Sequence, residues 1–186
     1  LDDGKLTVAS GGQLHIASGL ITVNENSNSV ATGGEIIVNN NDLVKDGDGH
    51  LKIENIIKVE NNNTLIKDGL LSINGNLKTN DLIVQTGATL GGDGTAEADV
   101  QVFGTLAAGN SPGTFNITGD LTVNAGSTTE VEIESLANHD PTIVTGNIPL
   151  DGTLHTTNWG SLSITAGDKY DVLTFTRGTI AADVDT

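Results

Sequence analysis

The feature that most constrains the fold of this chain is an internal sequence repeat with a period of 22 residues. Residues 8–16 align without a gap with residues 30–38, an offset of 30 − 8 = 22, and most substitutions between the two blocks are conservative. A second block, residues 39–47, aligns with residues 61–69 at the same offset, 61 − 39 = 22. Two separate blocks with one period indicate a repeat architecture, in which one small structural unit stacks on the next.

Within each repeat the residue pattern is typical of short β-strands. Apolar residues occur in pairs two positions apart, so both side chains of a pair point to the same side of a strand. Gly, Asn, Asp and Ser separate most pairs, and these are turn-forming residues. A unit of 22 residues therefore has room for three short strands. The predicted inward pairs are Leu6/Val8, Leu14/Ile16, Ile21/Val23, Ile36/Val38, Leu51/Ile53, Ile57/Val59, Leu71/Ile73, Leu82/Val84, Phe115/Ile117, Leu121/Val123, Val131/Ile133 and Leu162/Ile164.

The sequence thus predicts an all-β fold, a right-handed parallel β-helix with about 22 residues per coil, in which each coil crosses three sheets. The coils are predicted over residues 1–135, although the period drifts in the second half of the chain. Residues 136–186 lack the tandem motif and are predicted to be a divergent C-terminal β region, either a cap or a continuation of the solenoid. A sandwich of antiparallel hairpins is the alternative all-β fold, but it does not require a sequence repeat at a fixed period.

Composition argues against several classes of function. The 186 residues include eight Lys+Arg and 24 Asp+Glu, a formal net charge of −16 without a basic cluster. Such a charge argues against binding to nucleic acid or to anionic membrane surfaces. The chain has no Cys, which removes disulfides, thiol catalysis and cysteine-based zinc sites. No apolar run approaches the roughly 18 residues of a membrane-spanning helix.

One longer phrase resembles a known family. Residues 104–115, Gly-Thr-Leu-Ala-Ala-Gly-Asn-Ser-Pro-Gly-Thr-Phe, open a stretch to residue 133 that resembles the phrase beginning G-T-L-A-P-G-N-S-P-G-T-L in passenger domains of autotransporters, the type V secretion proteins. Residues 143–146, 152–154 and 167–174 are similar to the family's continuation. The departures are Ala108 in place of Pro, and Phe115 and Thr129 in place of Leu.

The resemblance implies a β-helical stalk at the surface of a Gram-negative bacterium or secreted by it. It implies partners on a host cell, in the matrix or on a sister cell, with self-association also possible. It further implies an outer-membrane β-barrel beyond residue 186, and no particular catalytic activity. The start at Leu1, without Met or a signal peptide, fits a processed product or a piece of a longer chain.

No pattern in the chain points to catalysis or to a metal. His15, His50, His139 and His155 lie outside any H-E-x-x-H or G-x-S-x-G context, and His15 is expected to face outward between two inward residues. The sequence therefore predicts no catalytic, cofactor-binding or metal-binding residue and no cofactor. The single Arg177 and five scattered aromatic residues are a poor set for a polysaccharide-cleaving β-helix enzyme.

Two glycine-rich phrases resemble calcium loops without completing them. Residues 46–49, Asp-Gly-Asp-Gly, lack the third acidic ligand and distal Glu of an EF-hand loop. Residues 91–94, Gly-Gly-Asp-Gly, are followed by Ala96 where calcium-binding β-rolls have Asp. Both phrases are predicted to be turns, and weak surface calcium sites are the alternative.

Two further polar groups have structural interpretations. Asn39–Asn41 and Asn61–Asn63 are predicted to stack one coil apart as an amide ladder, because Asn tolerates the left-handed backbone of a corner. Glu130, Glu132 and Glu134 alternate with apolar residues and are predicted to form an exposed acidic row.

These observations favour a non-catalytic extracellular structural rod or adhesin stalk, similar to an autotransporter passenger, that mediates surface attachment or cell–cell contact. One alternative is a self-assembling extracellular filament or surface-layer subunit. A β-helical enzyme that degrades polysaccharides is a less favoured alternative.

Overall fold

A computed structural model describes residues 13–16, 21–23, 35–39, 42–54, 56–109, 113–135, 138–158, 167–176 and 180–182. All regular structure in these residues is β, without a helix. The strands are β1 Gln13–Ile16, β2 Ile21–Val23, β3 Glu35–Asn39, β4 Leu43–Lys45, β5 His50–Ile53, β6 Ile56–Glu60, β7 Thr64–Ile66, β8 Leu70–Ile73, β9 Asn76–Val84, β10 Thr89–Gly92, β11 Thr95–Val102, β12 Thr105–Ala108, β13 Phe115–Ile117, β14 Leu121–Val123, β15 Thr128–Ser135, β16 Asn138–His139, β17 Thr142–Val144, β18 Ile148–Leu150, β19 Thr153–Asn158, β20 Leu173–Phe175 and β21 Ile180–Ala182.

The strands form three parallel ladders, which we call the first, second and third faces. The first face runs β1-β3-β6-β9-β11-β13-β17-β20. The second face runs β2-β4-β7-β9-β11-β14-β18-β21, so the long strands β9 and β11 belong to both faces. The third face runs β5-β8-β10-β12-β15-β19. The chain visits the three faces in turn, and the predicted parallel β-helix is confirmed, with about 21 residues per turn.

The number of residues per coil changes along the chain, as the drifting repeat predicted. Gln13 pairs with Glu35 at an offset of 35 − 13 = 22. The offset shrinks to 105 − 89 = 16 between Thr89 and Thr105, and it grows to 180 − 148 = 32 between Ile148 and Ile180. Because the ladder stays in register on each face, the extra residues are accommodated between the strands.

The strands after residue 136 continue the solenoid. β17 and β20 extend the first face, β18 and β21 extend the second, and β19 extends the third, all in parallel. The exception is β16, which pairs with β15 antiparallel and forms a hairpin that leaves the coil. Of the two predicted alternatives, cap or continuation, the pairing therefore matches continuation; the boundary at residue 135 stays a prediction. Predicted strands at 143–144 and 148–150 are present, the strand at 170–175 is limited to β20, and 162–164 lies outside the described residues.

The core is a set of aliphatic columns inside the coils. Alternate side chains of a strand point inward, and parallel stacking places each one above its equivalent in the previous coil. On the third face, Leu51, Leu71, Leu90 and Leu106 form one such column and are buried. Every predicted inward pair whose side chains are described is buried: Ile36/Val38, Leu51/Ile53, Ile57/Val59, Leu71/Ile73, Leu82/Val84, Phe115/Ile117, Leu121/Val123 and Val131/Ile133.

Close stacking at the corners explains part of the glycine content. A Cβ atom built on Gly104 would lie 2.3 Å from the carbonyl oxygens of both Ala88 and Gln85 in the preceding coil. Only glycine lets the backbones approach this closely. The chain thus uses small residues where one coil turns directly over another.

Candidate functional site

The predicted acidic row is present on the third face. Glu130, Glu132 and Glu134 are exposed along β15, while Val131 and Ile133 between them are buried. An exposed row of this kind lacks the cleft and the divergent environments that a catalytic pair of carboxylates needs. The row therefore supplies negative charge to the outer surface.

Glu132 is the member of this row with an altered acidity. Partial burial, followed by the nearby carboxylates of Asp140 and Glu130, raises the pKa of Glu132. Asp140 itself is buried; its backbone N–H donates to the Glu132 carbonyl at 3.1 Å, and its Oδ1 accepts from the Gly113 N–H at 2.7 Å. Three carboxylates are thus held near one another where β15 leaves the coil.

His139 lies in the same region and contacts an aromatic residue. Its ring meets that of Tyr170 edge to face, with centroids 5.9 Å apart. His139 Nδ1 and the Tyr170 hydroxyl are buried without a hydrogen-bond partner among the described residues. The neighbouring Asn138 donates from Nδ2 to Glu134 Oε2, which closes the hairpin. Sequence reasoning did not bring these side chains together, because residues 139 and 170 carry no shared motif.

The other histidines are separated from this region or from one another. His50 Nε2 and Ser72 Oγ share a hydrogen bond of 2.8 Å, and burial, followed by the charges of Lys52 and Lys45, lowers the pKa of His50. His155 is exposed on β19 beside Glu130. The ladder partner of His15 is Ile37, but the His15 side chain lies outside the described residues, as does Arg177.

The predicted asparagine ladder is wrong in its register. Asn39 pairs with Glu60, an offset of 21 residues, so it does not stack on Asn61. The sequence repeat of 22 and the strand register therefore differ by one residue at this coil. Asn61 does adopt the left-handed backbone expected of a corner, with φ 62°. Residues 40 and 41 lie outside the described part of the chain.

A different ladder occupies the corner before the second face. One Asp or Asn precedes each strand there, and the members, which we call the Asx ladder, are Asp42, Asn63, Asp81, Asp99, Asp120 and Asn147. The Asn63 N–H donates to Asp42 Oδ1 at 3.0 Å, and the Asp81 N–H donates to Asn63 Oδ1 at 3.3 Å. Each side chain therefore accepts from the backbone of the next coil.

The same pattern continues toward the C-terminus. The Asp120 N–H donates to Asp99 Oδ1 at 2.9 Å, and the Asn147 N–H donates to Asp120 Oδ1 at 2.7 Å. The signal in the sequence is a recurring Asp or Asn immediately before an apolar pair. Short polar side chains suit this position because they satisfy backbone donors that a turning coil would otherwise leave unpaired.

The two glycine-rich phrases form turns, as predicted. Residues 46–49 form a bend in which Gly47 has φ 74° and Asp46 Oδ1 accepts from the Gly47 N–H at 2.9 Å. Residues 91–94 begin at the end of β10 and turn toward β11. No group of three or more His, Cys, Asp or Glu in the described ranges is arranged to hold a metal ion.

Lys45 is a buried residue that the pattern of apolar pairs did not predict. Its side chain stands in an inward column of the second face, next to Ile66 and above Val23. It is 0% exposed, and its Nζ donates to three backbone carbonyls. Burial lowers the pKa of this ammonium, while the charges of Asp68, Asp46 and Asp48 oppose the shift.

The outer surface of the third face carries a row of hydroxyl groups. Thr89, Thr105, Thr128 and Thr153 pair directly in successive coils and are half-buried or exposed. Neighbouring coils are spaced by about 4.8 Å. The row therefore presents regularly spaced donors and acceptors to a partner.

Comparison of the sequence with protein-family models and with curated proteins finds no match. Within the described residues there is also no helix that is long and apolar enough to cross a membrane.

Proposed function

We propose that the chain is a non-catalytic extracellular rod or adhesin stalk, similar to an autotransporter passenger, at the surface of a Gram-negative bacterium or secreted by it. The observation that carries the proposal is the continuous parallel ladder, which extends over eight strands on the first face. A stack of coils separates what lies at its two ends by about 4.8 Å per coil. The resemblance of residues 104–133 to passenger domains supports the extracellular setting.

The contacts of such a stalk come from its outward columns. The threonine row of the third face and the neighbouring acidic row offer hydrogen-bond donors, acceptors and negative charge in a regular array. We propose a receptor on a host cell, in the matrix or on a sister cell. The net charge of −16 makes nucleic acid an unsuitable partner.

Adhesion by beads coated with the full chain tests this function. Beads coated with albumin serve as the blank, and the surfaces offered are cultured epithelial cells, collagen and Gram-negative bacterial cells. We expect the coated beads to attach to at least one of these surfaces above the blank. Failure to attach to all three would contradict the proposed function.

Two matched double variants identify the face involved. Thr105→Lys with Thr128→Lys alters adjacent outward positions on the third face, and Thr95→Lys with Asn116→Lys alters adjacent outward positions on the first face. Attachment should fall only with the third-face pair, while circular dichroism shows that both variants stay folded. Equal attachment by both variants would place the contact elsewhere.

A second candidate function, a self-assembling filament or surface-layer subunit, is favoured by the edge strand β19. β19 pairs with β15 and, in the described residues, with no other strand. Leu154 occupies the inward column of the third face but is 55% exposed. An exposed strand edge with an apolar residue can pair with another chain. Polymers seen by electron microscopy would support this function, and a monodisperse monomer in light scattering would contradict it.

A further inference from the structure

Lys45 places a charged group inside an otherwise aliphatic column. In successive coils of the second face the positions above it are Ile66, Val84, Val102 and Val123, all buried. A buried ammonium without partners would be strongly unfavourable. The structure must therefore supply oxygen atoms around this group.

Three backbone carbonyls supply those oxygens. Nζ donates to the Gly47 carbonyl at 2.6 Å, to the Asp46 carbonyl at 3.1 Å and to the Asp68 carbonyl at 3.1 Å. An ammonium has three N–H donors, and here each has an acceptor. Two of the acceptors belong to the turn that follows Lys45, and the third belongs to the turn of the next coil.

Two stacked turns of the same sequence, Asp-Gly, build this arrangement. Gly47 and Gly69 have φ values of 74° and 64°, and each glycine N–H donates to Oδ1 of the preceding Asp, at 2.9 Å for Asp46 and 2.8 Å for Asp68. A Cβ atom on Gly69 would lie 2.5 Å from the Gly47 carbonyl oxygen. The positive φ and the close approach both require glycine, so the direction of the carbonyls is set by the turns and not by the lysine.

The surroundings of the ammonium are the ligand type of a hard cation. Calcium binds six to eight oxygen atoms from backbone carbonyls, carboxylates and water. Besides the three carbonyls, the carboxylates of Asp46, Asp48 and Asp68 lie close enough to act on the charge of Lys45. The corner thus combines the two oxygen types that calcium sites use.

We propose that the corner formed by residues 46–49 and 68–69 is a calcium-type cation site whose resident cation is the ammonium of Lys45. In the intact chain the lysine fills the site and makes the cohesion of these two coils independent of calcium. Removal of the lysine side chain beyond Cβ opens the site to Ca²⁺. This inference does not depend on the adhesive function.

Thermal unfolding of the full chain tests the proposal with Lys45→Ala, which vacates the site, and Lys45→Met, which removes the charge but keeps the side chain in place. Melts are recorded with EDTA, with 10 mM CaCl₂ and with 10 mM MgCl₂. Calcium at about ten times its Kd should raise the Tm of the alanine variant by about 3–5 °C. The wild type and the methionine variant should shift by less than a third of that amount. Magnesium should act more weakly, because it requires octahedral geometry and keeps its water.

The wild type controls for general binding of calcium to an acidic protein. An equal calcium shift in the wild type and the alanine variant overturns the proposal, as does the absence of a shift in the alanine variant. If that variant is unfolded in EDTA, calcium should restore the β-sheet signal in circular dichroism. Failure of calcium to restore that signal likewise overturns the proposal.

Discussion

At the scale of single residues, the inward columns contain polar exceptions that differ in how they are satisfied. Thr64 lies between Leu43 and Leu82 in a column of the second face and is fully buried. Its Oγ1 has no hydrogen-bond partner among the described residues. Thr79 is also buried, but its Oγ1 donates to the Asn62 carbonyl at 3.0 Å. The two hydroxyls therefore contribute to the free energy of unfolding with opposite signs.

Substitution of each threonine by valine tests this difference. Thr64→Val removes an unsatisfied buried hydroxyl and should stabilise the protein by about 1–2 kcal/mol. Thr79→Val removes a satisfied hydroxyl, leaves a carbonyl without its partner and should destabilise by about 1 kcal/mol. Urea unfolding monitored by circular dichroism measures both changes. Destabilisation by Thr64→Val would mean that this hydroxyl has a partner in solution.

The raised pKa of Glu132 predicts a dependence of stability on pH. Burial, Asp140 and Glu130 all favour the protonated carboxyl, so the folded pKa exceeds the ordinary value of 4.5. The stability that comes from protonation is fully present below the unfolded pKa and is lost as the pH rises through the folded pKa. Glu132→Gln, which stays neutral, should therefore be more stable than the wild type at pH 7–8.

The comparison at two pH values separates this charge effect from packing. Near pH 4 the wild-type carboxyl is largely protonated, and the difference in free energy of unfolding between the two proteins should shrink. Glu134→Gln, on the same outward face, is the matched control. An advantage of Glu132→Gln that is the same at pH 4 and pH 8 would rule out the titration of Glu132 as its cause.

At the scale of the strand and its corner, the Asx ladder links successive coils through side chains. Asp120 Oδ1 accepts from the Asn147 N–H at 2.7 Å, and the Asp120 N–H donates to Asp99 Oδ1. Asp120→Ala should destabilise by about 1 kcal/mol, because the Asn147 donor loses its acceptor. Asp120→Asn keeps a side-chain oxygen and should retain most of the stability. Chemical denaturation of the two variants gives the comparison; equal losses would show that charge, not the acceptor, is what the position requires.

The columns could be predicted from the sequence, whereas the register of each coil could not. Pairs such as Ile36/Val38 and Leu71/Ile73 identify inward positions because apolar residues two apart share one side of a strand. The pairing of Asn39 with Glu60 was not predicted, because a coil shorter by one residue leaves the sequence repeat visible while it shifts the backbone. A one-residue shift also reverses the direction of each side chain.

The inward position of Lys45 had a signal that hydrophobic patterning hides. The period of 22 places residue 45 above Val23, and the structure has this pairing. A polar residue at such a position is ordinarily assigned to the outside of the strand. Only the carbonyls of the two Asp-Gly turns make burial of the ammonium favourable, and their convergence depends on backbone geometry that the sequence does not display.

At the scale of the whole molecule, the solenoid is held together by contacts between neighbouring coils. In such a fold, stability is nearly a sum of terms for each coil and for its interfaces with the next. β9 and β11 lie in the interior of the stack, turn through a corner and pair along both the first and second faces. β19 pairs with a single described strand and has exposed side chains from Thr153 to Thr157. The interior coils and the C-terminal edge should therefore open independently.

Native-state hydrogen exchange measures this difference. The amides of Val84 in β9 and Val102 in β11 should exchange more slowly than those of β19 by a factor of at least about 10, a difference of about 1.4 kcal/mol in opening free energy. Mild denaturant should abolish protection in β19 before it affects β9. If β9, β11 and β19 lose protection together at one denaturant concentration, the stack unfolds as a single cooperative unit. The additive description of its coils would then be wrong, because coupling between coils would exceed the differences in their individual stabilities.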